Sequence, residues 1–174
     1  MLPDPLEAIE RLNEELVGRD RLSLCSVAAA LLCEGDGPAA SMEVICAGHP
    51  QAVLSGGEVR AVGAHGPIAG AFATSQWPRV TAELEEGATL VLYTDGVLDT
   101  VGSGGERFGK RRLLSALAGA EAAHEAVRRI ETALRAFEVG AQADDTAVLA
   151  IECVPAPVDT ASPAPSGSRQ GRVD

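Results

Sequence analysis

Aromatic residues are nearly absent: one Trp, one Tyr and three Phe make up 3% of 174 residues. A core must be assembled instead from Ala, Val, Leu and Ile, and a hydrophobic content of 46% supplies enough of them for one domain of ordinary size. Positive charge is also scarce. Lys110 is the only lysine, and fourteen cations face 25 carboxylates for a net charge of −11. Such a chain has no basic surface with which to release counterions from a phosphate backbone, which argues against nucleic acid as a partner. No apolar run reaches the ~20 residues of a membrane helix. Residues 1–11 are charged and patterned as a helix, unlike a secretion signal. No C-x-x-C pair occurs. Cys25, Cys33, Cys46 and Cys153 stand in apolar runs, where reduced cysteine behaves as a small hydrophobe. Together these features predict buried thiols in a cytoplasmic protein without a membrane association.

Several elements are legible. Asp4-Pro5-Leu6-Glu7 is a helix start, with a capping Asp, Pro at the first helical position and Glu at the third. Leu6, Ile9, Leu12 and Leu16 continue at helical spacing, and Gly18 ends the run. Apolar or alternating stretches predict strands at 22–33, 41–47, 51–54, 59–62, 80–84, 88–94 and 146–153, separated by Gly and Pro turns. Three of them, 22–33, 88–94 and 146–153, are apolar on both faces. A half-wet antiparallel strand should alternate, so these sheets are expected to be covered on both sides. Helices at 108–117 and 121–137 provide cover. The second carries Ala123, Val127, Ile130, Leu134 and Phe137 on one stripe, and Glu125–Arg129 and Glu131–Arg135 at i,i+4 spacing. The expected fold class is α+β, a layered sandwich of antiparallel sheets and helices over residues 1–153. Residues 154–174, rich in Pro, Ser and Gly, read as a disordered tail.

Two patterns bear on chemistry. Residues 104–111 contain a G-x-x-x-x-G-K core but lack the following Ser or Thr and do not leave a strand directly, so a glycine loop entering a helix is the simpler reading. Asp95, in Thr94-Asp95-Gly96, ends one strand, and Asp144-Asp145-Thr146 begins another. Converging carboxylates at strand ends make a hard oxygen site suited to Mg²⁺ or Mn²⁺. By spacing alone, an ordinary Asp-Gly turn and a solvated strand start are the simpler reading.

The order of motifs adds context. Cys46-Ala47-Gly48-His49-Pro50, Gly66-Pro67-Ile68-Ala69-Gly70, Leu84-Glu85-Glu86-Gly87, Leu90-Val91-Leu92-Tyr93-Thr94-Asp95-Gly96-Val97, Gly105-Glu106-Arg107-Phe108-Gly109 and Asp144-Asp145-Thr146 follow one another. This series resembles the SpoIIE/RsbU-like bacterial branch of the PPM (PP2C-type) serine/threonine phosphatases from about residue 5 to 152. The resemblance implies a four-layer α-β-β-α sandwich and two divalent metals, Mn²⁺ or Mg²⁺, held by aspartates. It implies hydrolysis of phosphoserine or phosphothreonine by a metal-activated water, with no protein nucleophile. Carried over by motif, Asp95 and Asp144 are the metal ligands, Gly96 and Asp145 support them, and Gly48 and His49 form a structural turn. The implied substrate is a phosphorylated protein, of the anti-sigma-factor antagonist type used in bacterial partner switching.

Three departures stand out. Cys46 replaces the family's usual Asn, and Asp99 its usual Glu. Nothing in residues 1–46 matches the family's first metal motif, Gly-Asp-x-x-Gly-x-Gly; Glu34-Gly35-Asp36-Gly37 falls at a later turn. The chain thus reads as the C-terminal two-thirds of such a domain. Little activity on its own, and self-association through an unpaired strand edge, are expected. The alternative is a catalytically inactive PPM-like binding module.

Overall fold

The computed structural model describes residues 4–34, 39–139 and 145–155. The chain begins with helix α1 (Pro5–Val17), whose start follows the capping rule. The Asp4 side chain accepts the Leu6 N–H at 2.9 Å, Pro5 occupies the first turn, and Gly18 caps the other end. Arg79 clamps the same Asp4 carboxylate and also reaches Glu43 at 3.1 Å. The Arg79 hydrogen bond, helped by Leu6 N–H, holds the Asp4 carboxyl below its usual range.

Strands β1 (Val27–Cys33) and β2 (Ala40–Ala47) form an antiparallel hairpin in register Val27↔Ala47 to Cys33↔Ser41. The chain then leaves this sheet. β3 (Ala52–Ser55) and β4 (Arg60–Val62) build a second sheet, before β5 (His65–Gly66) and β6 (Val80–Leu84) return to β2. β7 (Thr89–Tyr93) pairs with β3, and β8 (Val148–Glu152) pairs with β7. The second sheet therefore runs β4-β3-β7-β8. Between β7 and β8 lie α2 (Asp95–Asp99), α3 (Gly109–Leu117) and α4 (Ala123–Phe137).

Three apolar clusters define the layers. Ile9 and Leu16 of α1 pack with Ile45, Ala47, Ala69 and Trp77 on the outer face of the first sheet. Met42, Val44, Cys46, Leu54, Leu84 and Leu90 fill the space between the sheets. Val53, Val91, Tyr93, Leu113, Leu117, Ile130 and Leu134 join the second sheet to α3 and α4. The order is helix, sheet, sheet, helices. This is the four-layer α+β sandwich, and it explains why strand 88–94, in the middle of its sheet, does not alternate. The cover expected on both faces of strand 146–153 is incomplete, because β8 is the edge strand and Leu149 is left 55% exposed. Apolar burial at about 25 cal/mol per Å² drives each interface, with aliphatic side chains in place of the missing aromatics.

Several expectations are corrected in detail. The first strand starts at Val27, not Leu22. Its ladder is exhausted when Val27 meets Ala47, because Gly48, with φ 64°, turns β2 away. Leu22 and Leu24 are left exposed, and Cys25 makes only an isolated bridge to Ala69. The sheets are not wholly antiparallel: β5 meets β2 in parallel, as the chain re-enters the first sheet from the second. His65 lies in that short strand. Of the cysteines only Cys46 is fully buried. Cys33 is exposed, and Cys25 and Cys153 are half-buried, because the strands near them are edges. All four are free thiols. On α4 the buried line is Ala126, Ile130 and Leu134, with Ala123 and Val127 at its margin. The tail expected from residue 154 lies outside the described residues apart from 154 and 155. No helix among the described residues is long and apolar enough to cross a membrane.

Candidate active site

The end of β7 and the start of β8 are clasped by one threonine. Thr94 N–H donates to the Ala147 carbonyl at 3.0 Å, continuing the ladder beyond Tyr93↔Val148. Thr94 Oγ1 donates to the Asp145 carbonyl at 3.1 Å and accepts the Ala147 N–H at 3.0 Å. A hydroxyl can do both through a single oxygen. Sequence reasoning gave Thr94 no role. The signal was available in its position before Asp95-Gly96 at a strand end.

Asp95 follows as the first residue of α2. It was expected in a turn; it instead opens a one-turn helix, tied by Thr100 Oγ1 to the Gly96 carbonyl at 2.9 Å. Asp95 is exposed while Gly96 and Val97 are buried. The short helix therefore anchors by its second and third residues and presents the first to solvent. Gly96 has a steric reason to be glycine. A Cβ there would lie 2.5 Å from the Asp145 carbonyl oxygen and 3.2 Å from Thr146 Oγ1. The backbones of 94–96 and 145–147 thus touch across a sequence gap of about fifty residues. Asp145 is exposed beside Asp95's helix. Asp144, the other expected ligand, lies outside the described residues.

The donors this corner offers are carboxylate and carbonyl oxygens, the chemistry that Mg²⁺ and Mn²⁺ prefer. Among the described residues no three of His, Cys, Asp or Glu gather as a complete metal cage. Burial raises the Cys46 pKa, which makes that thiol a poor nucleophile. Burial likewise pushes the Tyr93 phenol up to about 12.

The expected Gly48-His49 turn lies at the end of β2. Gly48 has φ 64°, and a Cβ there would stand 2.6 Å from Ile68 Cβ. Its N–H donates to the Gly66 carbonyl at 3.0 Å. His49 Nδ1 lies 3.1 Å from the Pro50 carbonyl, inside its own loop. One buried residue went unnoticed in the sequence. Asn13 breaks the apolar stripe of α1, yet it is only 3% exposed. Its Oδ1 accepts the Gly70 N–H at 2.8 Å and its Nδ2 donates to the Phe72 carbonyl at 3.1 Å.

Solved structures of PP2C-type phosphatase domains share this four-layer fold. The SiaA-PP2C domain of Pseudomonas aeruginosa superposes with a TM-score of 0.65 at 21% identity, covering 86% of this chain and 61% of that one. The phosphatase domain of the cell fate determinant SpoIIE from Bacillus subtilis, presoaked with Mn, gives 0.62 at 20% identity, over 94% and 72%. The RsbU and RsbW domains of a Mycobacterium tuberculosis protein give 0.62 at 20% identity, over 89% and 44%. The present chain therefore spans less than two-thirds of the SiaA domain. The family itself is set by sequence: the model of stage II sporulation protein E matches residues 2–154, and the chain belongs to the SpoIIE family. No individually curated protein matches it in a sequence comparison.

Proposed function

We propose that this chain is a metal-dependent serine/threonine protein phosphatase unit, acting on a phosphorylated protein. Membership of the SpoIIE family supports phosphatase function. The observation that carries the site assignment is the contact of Gly96 with the Asp145 backbone, which draws the two acidic motifs to one corner. In this reading Asp95 and Asp144 hold Mn²⁺ or Mg²⁺, while Gly96 and Asp145 set the approach of the two loops. The bound ion supplies a water acidic enough to attack phosphorus near neutral pH. The chain's own share is positional. Thr94 fixes the strand ends, Gly96 permits close approach, and Asp95 is held at a defined point of a short anchored helix.

The substrate class proposed is a phosphorylated anti-sigma-factor antagonist in a bacterial, cytoplasmic signalling circuit, with residues 1–153 as the working domain and 154–174 as a tail. Two carboxylates hold an octahedral ion loosely, with water in the remaining positions. Weak hydrolysis is therefore expected of these 174 residues. A second reading, a binding module without catalysis, is favoured by the lack of a three-ligand cluster among the described residues. Mn²⁺ binding measured by calorimetry on wild type and Asp95→Asn, with release of phosphate from a phosphoserine peptide, separates them. Metal binding that Asp95→Asn abolishes, with even slow Mn²⁺-dependent release, supports the phosphatase. Metal binding indifferent to Asp95→Asn overturns the site.

A further inference from the structure

The G-x-x-x-x-G-K segment finds no use in the reading above, yet it delivers the chain's only lysine to the end of the second sheet. Lys110 Nζ donates to Gln51 Oε1 at 2.7 Å, and Gln51 Nε2 donates to the Gly63 carbonyl at 2.6 Å. The ammonium is thus anchored through a neutral amide, and its charge is left uncompensated. Its neighbours differ. Arg107 is paired with Asp99 at 2.6 Å, and Arg112 Nη1 donates to the Arg107 and Phe108 carbonyls. No carboxylate pairs with Lys110 among the described residues.

The β3–β7 ladder ends at Val53↔Val91, so the residues just before β3, Gln51 among them, and those just after β7, Asp95 among them, lie at the same end of the second sheet. Lys110 stands in the first turn of α3, which packs against the short helix α2 that Asp95 opens. Lys110 and Asp95 therefore belong to one end of the sandwich. A phosphorylated substrate is anionic, and a protein of net charge −11 repels it. A fixed, unpaired cation beside an acidic corner offsets that repulsion locally.

We propose that Lys110, positioned by Gln51, is a specificity-determining residue that docks an acidic side chain of the substrate flanking the phosphorylated one. This rests on the phosphatase reading of the Asp95 corner. A charge contact at an exposed rim contributes roughly a fivefold preference, and it fades as salt screens it.

The test uses the full chain with Mn²⁺ and three labelled peptides, followed by fluorescence anisotropy. One carries a non-hydrolysable phosphonate analogue of phosphoserine with flanking glutamates. The second carries the same analogue with flanking alanines, and the third is an unphosphorylated glutamate peptide. Wild type should bind the first about fivefold tighter than the second. Lys110→Gln should erase that ratio, Lys110→Arg should keep it, and Gln51→Ala should reduce it. A ratio that survives Lys110→Gln, a wild type without preference, or no binding of any peptide overturns the proposal. A Lys110-dependent preference for glutamate that ignores the phosphonate would instead sink the phosphatase reading and leave Lys110 as an acidic-segment dock. Circular dichroism melts confirm that the exposed substitutions leave the fold intact.

Discussion

Gly96 and Asp145 are in backbone contact: the α-carbon of one approaches the carbonyl of the other so closely that even a methyl group would not fit between them. The contact couples the N-terminus of α2 to the entry of β8, and through it the two acidic motifs. Gly96→Ala should therefore push the loops apart. The Cβ meets rigid backbone, not a flexible side chain, so the expected cost is about 1–3 kcal/mol, the range for overpacking a filled site. A lower thermal midpoint together with weakened Mn²⁺ binding would be the outcome. An unchanged midpoint would mean the loops separate freely.

Asn13 makes a parallel prediction about the opposite face. Asn13→Leu suits the apolar stripe of α1 by sequence pattern, but it strands the buried Gly70 N–H and the Phe72 carbonyl. Leaving the buried Gly70 N–H unpaired costs ~1–3 kcal/mol. Asn13→Leu should be destabilising in urea titration, despite being more hydrophobic. Greater stability would show that the loop at 70–72 finds other partners.

Tyr93 supplies a pH test, because it is the only tyrosine in the chain. Burial raises its phenol to about 12, above the ordinary ~10. A raised folded pKa stabilises the fold fully below pH ~10, and the contribution is lost as pH climbs toward 12. Across that window the loss amounts to roughly 2–3 kcal/mol. Absorbance at tyrosinate wavelengths should titrate near 12 in the folded chain and near 10 in denaturant. A folded midpoint near 10 would show a solvated ring.

Asp4 gives the opposite sign. Its carboxyl is held low by Arg79 and by the Leu6 N–H, so its stabilising effect is present above the unfolded carboxylate pKa and disappears as pH falls through the folded one. Asp4→Asn should lower the melting temperature near neutrality and make no difference in strong acid. Equal effects at both pH values would remove the Arg79 pairing as the cause.

The outer edge of β1 is a prediction about association. Among the described residues β1 pairs with β2 alone; it carries no charge and is half-buried along most of its length. Such edges recruit strands from other chains. Sedimentation should show concentration-dependent self-association, reduced by Leu31→Lys. A monomer at all concentrations would sink this expectation.

The layers follow from local pattern alone. Residues apolar on both faces, such as 88–94, require cover on two sides. Asp4, Pro5 and Gly18 bound α1 through local rules of capping and backbone freedom, and the helix appears where they place it. These signals are local because a strand's alternation and a helix's caps depend on neighbours a few residues away. What only tertiary structure decided involves partners far along the chain. Strand 22–33 shortens to Val27 because Gly48 turns its partner away. The buried Asn13 looks like a flaw in an apolar stripe until Gly70 and Phe72 arrive, 57 and 59 residues later. Asp-Gly at 95–96 reads as an ordinary turn until the Asp145 backbone fixes why it must be glycine. Lys110 reads as part of a failed phosphate loop until its hydrogen bond to Gln51, 59 residues earlier, ties it to the end of the second sheet. In each case the deciding contact is a long-range hydrogen bond or a steric limit. Neither leaves a periodic trace in the sequence, since each depends on a single atom meeting another across the fold.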